Sequence, residues 1–231
     1  MATRAAVVFL LDVDNTLLDN DWVIEDLKSH LTRTFGPQRE GRYWVIFEKL
    51  REELGYADYL GALQHYRAEN PADPNFLQMA FYLMEYPFAD RLIPGALDVV
   101  KRFRAWGPTV IFTDGDVVFQ PRKVQRSGLY DAVEGRALIY IHKEQQLDDV
   151  EMRYPADHYV VADDKLRILS ALKQAWGPRV TTIFPRQGHY ANDLGVLARY
   201  PKADISVEAI ADLLQYDLDA LLAARQPQTA V

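Results

Sequence analysis

The chain contains no cysteine, which excludes a disulfide framework, a thiolate zinc site and a cysteine nucleophile. That absence is compatible with a reducing compartment, and a cytoplasmic location is expected. No uninterrupted apolar run reaches the length a membrane span needs. The short apolar stretch after Arg4 is broken by Asp12 and Asp14 before any small-residue cleavage site, so it reads as a strand rather than a signal peptide. Positive charge is scarce: 26 Lys and Arg stand against 33 Asp and Glu, a formal net charge of -7. No concentrated basic surface is therefore available, and neither nucleic acid nor an anionic membrane is expected as a partner. Repeats and low-complexity segments are also absent. The 231 residues suffice for one large domain or a core carrying a smaller insert, as a monomer or a homodimer.

The strongest positive signal is the apolar run Val7 to Leu11, which leads directly into Asp12-Val13-Asp14-Asn15-Thr16. Side chains two apart on an extended chain point the same way, so Asp12 and Asp14 converge on one centre. In a parallel α/β sheet that centre lies at the carboxyl end of a strand, where ligands bind. Two carboxylates this close repel unless a positive charge lies between them. A Mg2+ ion meets that need, because it takes hard oxygen ligands and keeps open positions for water and phosphate.

Beyond Thr16 the periodicity turns helical, over Trp22 to Phe35, Tyr43 to Leu54 and Phe76 to Tyr86. Gly36-Pro37, Gly55 and Asn70-Pro71 separate these stretches, and Asp73-Pro74 reads as an N-cap and first helical residue. Residues 19–90 thus form an all-helical insert. From Pro94-Gly95 the pattern alternates again. Strands are expected at Thr109–Phe112, Ala137–Ile141, Tyr159–Ala162 and Val180–Phe184, with helices between them. This alternation predicts a Rossmann-like parallel sheet with helices on both faces, built from residues 1–18 and 91–231. Ser206 reads as the N-cap of a closing helix with an apolar stripe from Ile210 to Leu221, and Gln226–Val231 as a frayed tail.

Two further strands end in polar clusters. In Thr113-Asp114-Gly115-Asp116, the threonine hydroxyl suits a phosphate oxygen, the glycine lets backbone N–H groups approach an anion, and Asp116 suits an N-cap. Asp114 places a further carboxylate beside that seat, which weakens anion binding unless it is paired. In Asp163-Asp164, one carboxylate supplies a metal oxygen and the other an outer or capping group. A basic group must offset the charge of nucleophile and phosphate. On residue type alone Lys123, Lys143 and Lys165 are all candidates.

Together these segments resemble the haloacid dehalogenase superfamily, whose members are mostly Mg2+-dependent phosphohydrolases. Asp12, Asp14 and Thr16 match its first motif and Thr113 its second. Lys143 matches its third by order and distance, and Asp163 with Asp164 its fourth. Residues 19–90 resemble that family's C1-type cap. The resemblance implies that Asp12 attacks phosphorus to form an aspartyl-phosphate, while Asp14 protonates the leaving oxygen and then activates water. Thr113 and Lys143 would bind phosphoryl oxygens, with Asp114 and Gly115 beside them. Mg2+ would be held by Asp12, Asp14 through its carbonyl, and Asp163. The expected substrate is a small phosphomonoester, a phosphorylated metabolite. A phosphomutase using the same intermediate is the close alternative. Further ones are a 2-haloacid dehalogenase, disfavoured by Asp14, and a non-catalytic binding module. In the insert, Trp22, Tyr43, Trp44, Tyr59, Arg39 and Arg42 are candidates for contact with the leaving group, and Asp19 and Asp90 mark expected hinges.

Overall fold

A computed structural model describes residues 3–224; the expected tail at Gln226–Val231 lies outside them. Six strands form one parallel sheet: β1 (Ala5–Leu11), β2 (Thr109–Asp114), β3 (Ala137–Tyr140), β4 (Ala156–Ala162), β5 (Val180–Pro185) and β6 (Ile205–Val207). Their order is β3-β2-β1-β4-β5-β6. The central strands are buried on both faces, which is why they read as continuous apolar runs. On β1, Val7, Phe9 and Leu11 face one core cluster, and Val8 and Leu10 face another.

The first four helices after β1 are α1 (Asn20–Phe35), α2 (Pro37–Leu54), α3 (Tyr59–Glu69) and α4 (Phe76–Glu85). They pack through Val23, Leu27, Tyr43, Phe47, Leu63 and Leu83, which join the same core cluster as the Phe9 face of the sheet. Helix α1 starts where Asp19 accepts the Trp22 N–H at 3.0 Å, and α3 where Asp58 accepts that of Gly61 at 2.7 Å. The chain leaves and re-enters the sheet region through two segments lying side by side. Asp19 N–H donates to the Arg91 carbonyl at 2.8 Å and Ile93 N–H to that of Leu17 at 2.9 Å, so Leu18 and Leu92 pair as a short antiparallel bridge. The expected hinge at Asp19 and Asp90 is therefore a two-stranded ribbon.

The remaining helices are α5 (Ala96–Arg104), α6 (Phe119–Arg126), α7 (Leu129–Ala132), α8 (Leu147–Arg153), α9 (Leu166–Trp176), α10 (Leu194–Arg199) and α11 (Leu218–Ala223). Helix α5 covers the Phe9 face through Val99 and Phe103, and α9 covers the Leu10 face through Ile168 and Leu172, giving helices on both faces.

Two local expectations fail. Ser206 caps no helix; it sits in β6 opposite Phe184, an edge strand of only three residues. The stripe from Ile210 to Leu221 is split into a 3-10 turn, Ile210–Gln215, and α11, which Asp217 caps. Asp73 does not start α4, which begins at Phe76. Its carboxylate instead accepts the Asn75 N–H and the Tyr66 hydroxyl, both at 3.0 Å, pinning the turn before the helix.

Candidate active site

Because β1 lies between β2 and β4, the three chain segments leaving these strands emerge side by side. Leu11 is in register with Ile111 on one side and Ala162 on the other. Asp12 continues the ladder, its N–H donating to the Ala162 carbonyl at 3.0 Å, while Asp163 N–H reaches the Ile183 carbonyl at 3.2 Å. This places Asp12, Thr113 and Asp163 at one edge, next to the β1/β4 position where the strand order reverses. Asn15 then takes a left-handed turn (φ 56°), and the N–H groups of Leu17 and Leu18 fold back to the Val13 carbonyl at 2.9 Å.

Lys143 is the hub. Its ammonium is buried, donates to Asp12 Oδ1 at 2.5 Å and to the Phe112 carbonyl at 2.9 Å, and forms an ion pair with Asp163 Oδ2 at 2.7 Å. Burial alone would lower its pKa, but the carboxylates of Asp12, Asp163 and Asp114 outweigh that and raise it, so the side chain stays charged. It is aimed inward from the loop after β3, where His142 adopts a left-handed conformation (φ 58°). Of the three candidate lysines, Lys143 therefore occupies the place expected for it.

The other two lysines belong to the site as well. Lys123, fully buried on α6, donates to Asp14 Oδ1 at 2.6 Å and to Asn20 Oδ1 at 3.0 Å. It ties the second aspartate to the first residue of α1. Lys165 lies among Asp164, Asp12 and Asp163; burial pulls its pKa down, these carboxylates push it up, and the rise prevails.

Asp114 does not repel an anion unopposed. Its carboxylate accepts the Lys143 backbone N–H at 2.7 Å, and burial raises its pKa while the neighbouring Lys143 charge lowers it. Gly115 differs from its expected role. Its N–H is spent on the Tyr140 carbonyl at 3.0 Å, and the missing side chain makes room for Gln120, whose Cβ would lie 2.5 Å from a Cβ at that position. Thr113 is buried; its hydroxyl oxygen accepts from Gln120 Nε2 at 3.0 Å, and its proton makes only a long contact, 3.5 Å, to the Asp114 carbonyl. Asp116 is not the N-cap of α6, a position held by Val118; its carboxylate accepts the N–H groups of Val118 and Phe119 at 2.8 and 2.7 Å and pins the turn before the helix.

The carboxylate oxygens of Asp12, Asp163 and Asp164 all lie within 4.8 Å of one another, and both Asp164 oxygens are buried without a hydrogen-bond partner. Burial pushes Asp163 up to about 6 and Asp164 well above the ordinary carboxylate range. Counting Asp12, Asp14, Asp114, Asp163 and Asp164 against Lys123, Lys143 and Lys165, five carboxylates meet three ammonium groups. The residual formal charge of about −2 and the orphaned Asp164 oxygens are what a divalent, oxygen-seeking cation satisfies, so the residues fit Mg2+. The Asp14 carboxylate is not part of this cluster; it faces Lys123 and Gln120.

A cavity of about 620 Å³ opens above these groups, between the four-helix segment and the strand ends. Asp14, Asp114, Gln120 and Asp164 line its floor, and Ile24, Phe47, Arg51 and Tyr59 line its helical side. Of the six insert residues expected near a leaving group, only Tyr59 is among the lining residues. Tyr43 is core and donates to the Tyr59 carbonyl at 3.0 Å; Trp22 is 56% exposed elsewhere. Arg39 pairs with Asp73 at 3.2 Å and Arg42 with Glu69 at 2.5 Å, while Trp44 packs edge-on against Tyr43 and Phe47. Asn15, Asn20 and Gln120 went unread in the sequence, since amides carry no motif. Their roles come from tertiary contacts alone.

No protein-family model matches the chain, and no curated protein does. Solved structures do. A haloacid dehalogenase-like hydrolase from Burkholderia xenovorans is 61% identical, covering 95% of this chain and 100% of its own, with a TM-score of 0.90. The HAD-hydrolase YfnB from Bacillus subtilis, bound to magnesium, shares the fold at 15% identity, with a TM-score of 0.61 over 92% of this chain and 98% of its own. The L-2-haloacid dehalogenase of Xanthobacter autotrophicus does so at 16% identity, with a TM-score of 0.57 over 91% of this chain and 97% of its own. With three motif carboxylates and their lysine converging as that family's motifs imply, and a 61% identical relative spanning nearly its full length, this chain belongs to the haloacid dehalogenase-like hydrolases.

Proposed function

We propose that the protein is a Mg2+-dependent phosphohydrolase acting on a small phosphomonoester through an aspartyl-phosphate on Asp12. The observation that carries this reading is the joint placement of Asp12 against Lys143 and of Asp14, two residues on, at the floor of the cavity. A haloacid substrate releases halide and needs no proton donor for its leaving group, whereas an alkoxide does. Asp14 is held by Lys123 where such a donor is useful.

Asp12, Asp163 and Asp164 would hold the ion, with the Asp14 carbonyl added by resemblance. Bound there, Mg2+ would supply positive charge to the phosphoryl oxygens and to the nucleophile. Asp12 then attacks phosphorus through Oδ2, the oxygen not engaged by Lys143, and the ester P–O bond breaks as Asp14 passes its proton to the leaving oxygen. Lys143 and the Thr113 hydroxyl stabilise the charge on the equatorial oxygens. In the second half, Asp14 takes a proton from water as that water attacks phosphorus, and the P–O bond to Asp12 breaks. Both halves balance in protons.

Residues 19–90 act as a cap that closes the cavity and excludes water, moving about the Leu18–Leu92 ribbon. YfnB, whose magnesium-bound form reveals interdomain movement, supports the same arrangement.

The test is phosphate release from a panel of phosphomonoesters, with Mg2+ or EDTA, for the wild type and Asp12→Asn. Release that requires both the metal and Asp12 is expected. Halide release from 2-haloacids with no phosphate release would overturn the reading in favour of a dehalogenase. Phosphorylated enzyme that passes its phosphoryl group to a hydroxyl but not to water would do so in favour of a mutase.

A further inference from the structure

The cavity is larger than a phosphoryl group requires and its charge is unevenly distributed. The carboxylates of its floor are buried beside Lys143 and Lys165, whereas its outer part carries Arg51 at the end of α2 and Arg199 at the end of α10. Both arginines are solvent-exposed, which places them at the mouth rather than at the reacting centre. Arg51 has one acidic neighbour, Glu48 at 3.3 Å on its own helix, a surface pair of small worth. Arg199 has no carboxylate partner among the described residues and lies over the ring of Tyr200, 5.6 Å from its centroid. Asp193, the acidic residue nearest in sequence on this wall, is spent capping α10 through the N–H groups of Gly195 and Val196 at 2.8 and 3.1 Å.

The two guanidinium groups come from opposite walls, Arg51 from the helical insert and Arg199 from the segment after β5. Guanidinium is the side chain best matched to planar or tetrahedral oxyanions. Arg167, the third arginine lining the cavity, is paired with Glu144, so a chain with net charge -7 leaves Arg51 and Arg199 facing one cavity, an arrangement that suits an anion.

We propose that the mouth is a second anion subsite, and that the substrate is a phosphomonoester bearing a further anionic group, a carboxylate or a second phosphoryl group, held by Arg51 and Arg199. This rests on the phosphohydrolase reading, which places the scissile phosphate on the floor. It also makes the insert a determinant of specificity, because Arg51 reaches the ligand only when the insert lies against the core.

The test is a matched series of alkyl phosphates with spacers of increasing length, ending in a carboxylate, a second phosphate or a neutral hydroxyl. p-Nitrophenyl phosphate serves as the control for phosphatase chemistry. In the wild type, kcat/KM for one of the anionic series exceeds that of its hydroxyl counterpart by about tenfold or more, the worth of a charge-assisted contact. That ratio falls toward one in Arg199→Gln and Arg51→Gln, and Arg199→Lys keeps part of it. The spacer and end group that win identify the anion. Hydrolysis of p-nitrophenyl phosphate with no preference for either anionic end group overturns the subsite alone. A preference unaltered in both glutamine variants does the same. Absence of hydrolysis throughout overturns the phosphohydrolase reading and the subsite with it.

Discussion

Lys143 holds two carboxylates together that would otherwise repel across the floor of the cavity, and it does so without solvent. Its removal leaves Asp12 and Asp163 buried and uncompensated, a change that costs about 3–5 kcal/mol in comparable buried pairs. Lys143→Met should therefore lower the melting temperature by several degrees and phosphate release by two orders of magnitude or more. Excess Mg2+ should restore part of the stability but little of the activity. Differential scanning calorimetry with and without metal, beside initial rates, checks both halves. Recovery of stability without metal would mean that the three side chains do not share charge as described. Asp14 offers a second check at this scale. In the proposed mechanism it is the proton donor, a role that matters most when the leaving oxygen is a poor one. Asp14→Asn should lower kcat strongly for alkyl phosphates and much less for p-nitrophenyl phosphate, and equal losses would remove the acid role.

At the scale of elements, the contact between the helical insert and the core is concentrated at a few points, one of which is Gly55 against His142. Gly55 ends α2 in the left-handed region (φ 78°), and a Cβ there would lie 2.6 Å from His142 Cε1. Gly55→Ala should cost about 1 kcal/mol or more from the backbone alone and displace the insert as well, raising KM. Pairing it with His142→Ala should recover the KM but not the backbone strain, a split that melting curves and steady-state kinetics resolve. Much of this architecture was legible in the sequence. Doubly buried parallel strands read as apolar runs, and polar clusters immediately after β1, β2 and β4 marked the site, because those side chains cannot pack in the core. Helix α3 was missed although its buried face, Tyr59, Ala62, Leu63 and Tyr66, has the i, i+3, i+4, i+7 spacing of an amphipathic helix. Strand β6 was missed because three residues give no period. Lys123 was legible only as a rival to Lys143, since a helical lysine reads as solvated until the fold places it on Asp14.

For the molecule as a whole, the centre of the sheet is also its electrostatic weak point, and this fixes how stability answers pH and metal. Burial raises Asp163 from 3.8 to about 6, and Asp164 moves in the same direction. Between the ordinary carboxylate value and about 6, the folded chain thus binds more protons than the unfolded one, so stability falls as pH rises through this window. The buried ammonium groups Lys143 and Lys165 are raised, so their contribution is complete below their ordinary range and is lost only at strongly alkaline pH. They leave the acidic window undisturbed. The proposed Mg2+ would bind the ionised carboxylates in competition with those protons, so its stabilisation would grow as the protons leave. Without metal, the melting temperature should decline from about pH 4 to 6. With excess Mg2+ it should hold or rise, and the gap between the two curves should widen with pH. Asp164→Asn should narrow that gap while raising the metal-free melting temperature near neutrality, because it removes a buried carboxylate whose oxygens have no hydrogen-bond partner and which Lys165 offsets only through charge. A gap that stays constant from acid to neutral pH would show that these carboxylates do not exchange protons for the ion.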